Sequence, residues 1–349
     1  MSADLFTSSA YLDALEQHGC VGGRSGWTPF HLRLSDQTYA PCYRKSHSWG
    51  EFVFDFAIAQ AYAQQGLAYY PKLVCCVPYT PVPGRRLIAA DDRGLRALAD
   101  ALIEHARSHS ASGVHVLFST PEEAQSLEGR GWLHHQQLRY LWCNRGYASF
   151  DDFLDALSAK RRKNIRRERR LVAEKNVQID WRAAHTLSAA EWDRIYDLYA
   201  NTYHERGQSP YLTLACLRSW AEAFGERMLL CTASRADEIL AMAYFFRDDT
   251  TLYGRHWGSG TADELLHFEL CYYQGIDYAI RHGLQGFDAG VQGDHKLLRG
   301  FDPVRDHSAH WFAHRGFREA IGRHYAQERA ALDTRIEALA EHSAYRIPE

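Results

Sequence analysis

No stretch of this chain approaches the roughly 18 consecutive apolar residues of a membrane span, and its start, MSADLFTSSAYLDALEQHGC, lacks the basic and apolar regions of a signal peptide. A cytoplasmic location is expected. Cys-x-x-Cys spacing is missing as well. The eight cysteines, Cys20, Cys42, Cys75, Cys76, Cys143, Cys216, Cys231 and Cys271, are scattered and mostly apolar in context, so they read as reduced core thiols rather than zinc ligands or nucleophiles. Neither an H-E-x-x-H motif nor a carboxylate-rich triad accompanies the 19 histidines, although His105 and His109 stand four apart and His307, His310 and His314 are close; no metal site is expected. A G-x-S-x-G nucleophile elbow is absent too. Proline is missing from Glu122 to Ser209, whereas six of the ten prolines precede residue 84, so the texture changes from turn-rich to helix-rich.

What is present is an ordinary globular composition: 349 residues, 46% hydrophobic and 24% charged, which excludes a disordered or fibrous chain. The length favours two domains, divided near residue 147 into 1–147 and 148–349. Charge is nearly balanced overall but not locally. KRRKNIRRERR, residues 160–170, carries a local +7 in a chain of net −3, leaving −10 for everything else. Such a cluster suits a phosphate-bearing partner, through Lys160, Arg162, Lys163, Arg166, Arg167 and Arg170, or is a solvated basic face. Ser149-Phe-Asp-Asp152 opens a helix that continues into it. No leucine zipper follows, so a DNA-binding basic region is not expected.

Further capping boxes are expected at Ser48-Trp-Gly-Glu51, Thr120-Pro-Glu-Glu123, Ser188-Ala-Ala-Glu191 and Thr261-Ala-Asp-Glu264. Helices from Ser48 to Gly66 and from Thr261 to Gly283 each have a Trp-Gly pair at or shortly before their start and precede an apolar strand, which predicts a duplicated strand–helix–strand unit. Between them, Arg227–Ser234, Glu238–Phe246 and Thr250–Trp257 read as consecutive strands with a turn at Asp248-Asp249. The class expected is α/β (α+β) with mixed, mostly antiparallel sheets flanked by helices.

Helix 262–282 is apolar nearly all round, and Glu269 lies inside it. A carboxylate there is either paired within the core or is a general base or amine-binding group. The segment Gly290–Phe301 packs Asp294, His295, Lys296 and Arg299 among glycines, which suits a solvated turn or a loop that binds phosphate or steadies an oxyanion. His47, Ser48, Trp49 and Glu51 fall at the expected helix start, with Ser48 a cap rather than a nucleophile.

Taken in order, several blocks resemble the FemAB-like bacterial proteins of the DUF482 group. They are Tyr43-Arg-Lys-Ser-His-Ser-Trp-Gly-Glu-Phe-Val-Phe-Asp55, Tyr69-Tyr-Pro-Lys-Leu73 with Val77-Pro-Tyr-Thr-Pro-Val82, and Lys163-Asn-Ile-Arg-Arg-Glu-Arg169. Leu252-Tyr-Gly-Arg-His-Trp-Gly258, His267-Phe-Glu-Leu-Cys-Tyr-Tyr-Gln274, Gln292-Gly-Asp-His-Lys-Leu-Leu-Arg-Gly-Phe301 and Ser308-Ala-His-Trp311 continue the series. The resemblance implies two tandem GNAT-like domains and N-acyl transfer, with no tightly bound cofactor and with aminoacyl-tRNA or acyl-CoA as donor; a non-catalytic protein that recognises peptidoglycan, a peptide or RNA on the same scaffold is the alternative. A tRNA and an amine-bearing small molecule or peptide are the implied partners. With it, Glu269, His295, Lys296 and Arg299 form the expected catalytic set; His47, Trp49, Glu51, Tyr203, Arg255, His256, Trp257, Tyr273, Gln292 and His310 form the expected substrate-binding set.

Three departures stand out. Trp257-Gly-Ser-Gly-Thr-Ala-Asp-Glu264 has glycines but not the Gln/Arg-x-x-Gly-x-Gly/Ala pyrophosphate loop of CoA-dependent relatives, and its acids would repel one. LLRGF is similar to the Fem-type Phe-Lys-x-Gly-Phe pattern, but the lysine is displaced to Lys296. Asp306-His307 stands where Thr-Tyr is expected.

Overall fold

A computed structural model describes residues 4–236, 238–261, 263–291 and 293–346. Along the chain run α1 (Ser9–Gln17), β1 (Trp27–Pro29), β2 (Leu32–Ser35), β3 (Thr38–Ala40), β4 (Tyr43–Lys45), α2 (Phe56–Gln64), β5 (Lys72–Cys75), α3 (Asp92–Ser108), β6 (Gly113–Ser119), α4 (Pro121–Glu128) and β7 (Leu133–Cys143). There follow α5 (Phe150–Ala156), α6 (Ala159–Ala173), β8 (Gln178–Ala183), α7 (Ala189–His204), α8 (Leu214–Phe224), β9 (Met228–Arg235), β10 (Glu238–Arg247) and β11 (Thr251–Ser259). Then come α9 (Glu264–Phe268), a π-helical turn (Glu269–Tyr273), α10 (Gln274–Arg281), β12 (Gly286–Asp288), β13 (Asp302–Phe312) and α11 (Arg315–Glu341).

The chain forms two compact units, one of residues 1–138 and 305–335, the other of 139–304 and 336–349. The sequence-based division at 147 makes two contiguous pieces, whereas each observed unit is discontinuous. The cause is β13, which returns to pair antiparallel with β6, Ala309 opposite Val116 and Trp311 opposite Val114.

In the first unit, β4 pairs antiparallel with β1 and β5, and β5 runs parallel to β6. The crossover between β5 and β6 is α3, whose Leu98, Ala99, Leu102 and Ala106 recur at helical spacing and are buried against Leu73, Cys75, Val114, Val116 and Trp311. Asp91 caps this helix by accepting from the Gly94 N–H, and His105 and Arg107 sit at its negative end.

In the second unit, β8, β9, β10 and β11 form an antiparallel meander in which the strands expected from sequence all appear. β12 adds parallel to β11 after the helical segment α9–α10, and Leu141–Cys143 of β7 pairs antiparallel with β12. Gly258 lets α7 lie close on β11; a Cβ there would stand 2.4 Å from the Leu198 carbonyl oxygen. The expected class, α/β with mixed sheets flanked by helices, is what the structure shows. Among the described residues no helix is long and apolar enough to cross a membrane, and all eight cysteines are free thiols.

Local signals held where the partners were local. Ser188 and Glu191 form the full reciprocal box, and Thr120 and Ser149 each cap their helix. Glu123 instead turns to the backbone N–H groups of Arg86 and Leu87. Asp263, not Thr261, caps α9. The helix opened by Ser149 stops at Leu157, whose extended backbone separates α5 from the basic α6. The helix expected from Ser48 is α2 and begins at Phe56, because the Ser48 hydroxyl is taken by Lys72 and Tyr70. A parallel strand–helix–strand unit does occur in each unit. In the first, however, it is β5–α3–β6, since β4 and β5, which flank α2, are antiparallel.

Leu73 is fully buried between β4 and β6. Leu73→Ala should cost about 2–5 kcal/mol of stability, measured as a lowered denaturation midpoint with an unchanged dependence on denaturant.

Candidate functional site

The long helical segment of the second unit is interrupted at Glu269–Tyr273, where the wider π turn rotates side chains out of α-helical register. Glu269 is 3% exposed, so its charge needs partners. Arg169 of α6 stands 3.2 Å from Oε1, and the Gln274 amide donates to the same oxygen at 2.8 Å. Oε2 is buried and accepts no hydrogen bond from the described residues. Burial raises the affinity of this carboxyl for a proton, and Arg169 opposes the shift only in part.

One turn on, Tyr273 donates its hydroxyl to Glu168, also of α6. Arg299 donates Nε to the Tyr273 oxygen at 2.9 Å, pairs with Glu168 at 3.1 Å, and lies 3.6 Å over the Phe268 ring. Arg299, Lys296 and His295 come from the short helical turn Asp294–Arg299. The Lys296 ammonium is 1% exposed and donates to the Gly290 carbonyl at 2.6 Å; burial, with Arg139 nearby, lowers its pKa to about 7. His295 Nε2 lies 2.8 Å from the Tyr272 hydroxyl, and burial beside Arg299 and Lys296 lowers its pKa.

The structure therefore brings Glu269, Tyr273, His295, Lys296 and Arg299 onto two adjoining segments of one unit. Tyr203, Arg255 and His256 form a separate group on α7 and β11. There the His256 ring is packed 5.1 Å from Tyr199 and burial lowers its pKa to about 3, while Tyr203 is raised to about 12. Trp257 packs at 5.2 Å against His267. Gln292 lies outside the described residues.

The first unit holds a different polar centre. Lys45 and Lys72 are register partners on β4 and β5, both fully buried. Lys72 is bound by Glu51 Oε2 at 2.7 Å, by the Ser48 hydroxyl at 2.9 Å and by Asp55; Tyr69 donates to the same Asp55 oxygen at 2.5 Å. Lys45 lies 3.4 Å above the Trp27 ring and donates to the Trp49 carbonyl at 3.1 Å. Burial brings Glu51 up and Lys45 down, each to about 7. Beside this group, the Nδ1 atoms of His115 and His310 are hydrogen-bonded at 2.8 Å, and both Nε2 atoms are buried without a partner among the described residues. His47 packs against Gly26 and accepts from the Trp49 N–H, while the Trp49 side chain is 53% exposed. His47, Trp49, Glu51 and His310 thus belong to this unit and not to the Glu269 group.

Sequence reading missed Glu168, Arg169, Lys45, Asp55, Lys72 and His115. The signal for the first two was present: Ile165, Glu168, Arg169 and Val172 follow one helical stripe, and Ile165 and Val172 are buried. On the opposite side Lys160, Lys163, Arg166, Arg167 and Arg170 are exposed and Arg162 is half-buried. Arg162, Arg166 and Arg170 pair with Asp155, Asp151 and Glu174, whereas Lys160, Lys163 and Arg167 have no partner among the described residues. No group of three or more described His, Cys, Asp or Glu residues is placed to hold a metal ion.

A model of the FemAB-like family, described as peptidoglycan biosynthesis/recognition, matches residues 1–347. No curated protein matches the sequence. Among solved structures the chain is similar to FemX, with a TM-score of 0.57 and 11% identity over 91% of this chain and 94% of that one. It is also similar to L-PGS from Bacillus licheniformis, with a TM-score of 0.53 and 11% identity over 89% and 94% of the two chains.

His115, His135, His307 and His310 of the first unit are held neutral by burial, His135 and His307 with pKa values of about 4. The unfolded chain takes up these protons near pH 6.5 and the native one does not, so the histidines' contribution to stability should be full above pH 6.5 and fall as pH drops toward 4. His135→Gln should flatten the fall by about 1.4 kcal/mol per pH unit, read from denaturation midpoints across that window.

Proposed function

The chain belongs to the FemAB-like family, and from that premise we propose that it is an N-acyltransferase that moves an aminoacyl or acyl group from an activated ester to an amine. The observation that carries this reading is Glu269, a buried carboxylate oriented by Arg169 and Gln274 with one oxygen left unpaired among the described residues.

Amide formation from an ester needs a neutral amine near the carbonyl, a group to accept the amine proton and a positive centre for the tetrahedral oxyanion. The amine nitrogen forms the new C–N bond, its proton passes to Glu269 Oε2, and the carbonyl electrons move onto oxygen. They return as the C–O bond to the donor breaks, with a proton going to the departing hydroxyl. Lys296 suits the oxyanion, because its ammonium spends one donor on the Gly290 carbonyl and keeps two. Arg299 is already engaged by Glu168 and Tyr273, which makes it a positioning residue for the π turn. His295, with a lowered pKa, is a second base.

The donor in this reading is an aminoacyl-tRNA. Lys160, Lys163 and Arg167 support it as exposed, unpaired cations on the outer side of α6. The same helix presents Glu168 and Arg169 to the Glu269 group. The acceptor is an amine-bearing small molecule or peptide.

Glu269→Gln should lower single-turnover transfer from a charged tRNA pool to an amine mixture by about 100-fold or more, with melting temperature unchanged. Near-normal transfer would remove Glu269 from the chemistry. The triple variant Lys160→Ala, Lys163→Ala, Arg167→Ala should reduce the log–log salt slope of tRNA binding by roughly 2 to 3. An unchanged slope, or retention of stoichiometric acetyl-CoA in place of tRNA, would overturn the donor assignment.

A further inference from the structure

Gln274 stands between two groups that ask opposite things of an amide. Its Oε1 accepts from the Trp181 indole N–H at 3.1 Å, and its Nε2 donates to Glu269 Oε1 at 2.8 Å. An indole nitrogen only donates, so the carbonyl end of the amide faces Trp181 and the NH2 end is left for Glu269. The reverse orientation would set N–H against N–H on one side and carbonyl oxygen against carboxylate oxygen on the other. Gln274 is 9% exposed, so little water reaches it to relieve either mismatch.

The indole is itself held. Trp181 lies on β8 beside Cys231 of β9, and its ring packs 4.8 Å from Phe245 of β10 and 4.5 Å from Tyr278 of α10. Tyr278 stacks in turn on His282 at 3.8 Å. The donor thus reaches Gln274 from the sheet, whereas Arg169 reaches Glu269 from α6. Asp277 of α10, itself paired with Arg281, and the Cys231 thiol also face Glu269. Burial and Asp277 favour the protonated carboxyl, and Arg169 and the Gln274 N–H favour the carboxylate.

We infer that Trp181 is a positioning residue for Glu269: by fixing the Gln274 amide it keeps an N–H, not a carbonyl, against Oε1, and so leaves Oε2 of an ionised carboxylate for the reacting amine. Only that last step rests on the acyl-transfer reading of Glu269. The rest follows from which atoms can donate and which can accept. Without the indole N–H the amide is free to turn. Its carbonyl then accepts a hydrogen bond from protonated Glu269, so the protonated form gains a partner and the carboxylate loses one.

The test is Trp181→Phe, which keeps an aromatic ring against Phe245 and Tyr278 but has no donor. Two readouts are taken across pH. One is carboxyl carbon-13 NMR of the glutamate-labelled full-length protein, in which the Glu269 signal is the one missing from Glu269→Gln. The other is single-turnover transfer from the charged tRNA pool to the amine mixture. The Glu269 titration midpoint should move up by about one pH unit. The acid limb of the transfer rate should move with it, a loss of about ten-fold below the limb that recovers as pH rises. Gln274→Met should raise the midpoint likewise, and adding Trp181→Phe to it should move the midpoint no further. Should Trp181→Phe not fold, Trp181→Met, also without a donor, takes its place. An unmoved Glu269 titration overturns the assignment, even where the rate falls at every pH, since that marks a purely structural role. An equal shift with and without the Gln274 amide overturns it too, because Trp181 would then not act through Gln274. Should Glu269→Gln remain active, the acyl-transfer reading falls, while a moved titration still supports the link from Trp181 to Glu269.

Discussion

The pairing of Arg169 with Glu269 decides which way α6 faces. A carboxylate sealed from water at a π turn is costly alone, and α6 supplies the compensating charge from the same stripe that buries Ile165 and Val172. Glu168, one residue earlier, meets Tyr273 and Arg299. With these positions committed inward, Lys160, Lys163 and Arg167 are left on the solvent side of the helix. The exposed cations of α6 and the partner that the helix supplies to the buried Glu269 carboxylate are two consequences of one helix orientation.

The first unit solves a related problem with opposite signs. Register places Lys45 beside Lys72 in the sheet interior, an arrangement that repels unless anions arrive. The loop before α2 delivers them, Glu51 and Asp55, and the exchange of hydrogen bonds with Ser48, Tyr69 and Tyr70 fills most of the remaining valences. This is why that loop does not become the first turns of a helix. The neutral histidines nearby tie the unit's stability to pH, because charging them would add cations where two lysines already need compensation.

Much of this was legible from residue order. The alternation of β9, β10 and β11, the apolar helix carrying Glu269, the Ser188 box and the basic run all express contacts within a few residues, which periodicity and capping chemistry report directly. The blocks of family resemblance contained Lys45, Asp55 and Lys72 without marking them as partners. Glu51 and Lys72 are 21 residues apart and Glu269 and Arg169 are 100 apart, separations at which no local pattern specifies a meeting.

Sequence alone determined the mixed α/β class, the helical and strand character of most segments and the kinds of charge available. Tertiary structure decided which charges meet. The return of β13 to β6 made the units discontinuous, Lys72 drew Ser48 away from a helix cap, and Arg169 selected the inward face of α6. The physical reason is common to all three: a buried polar group takes whichever partner the packing of distant segments brings within hydrogen-bonding distance, and that choice overrides the local preference of its own segment.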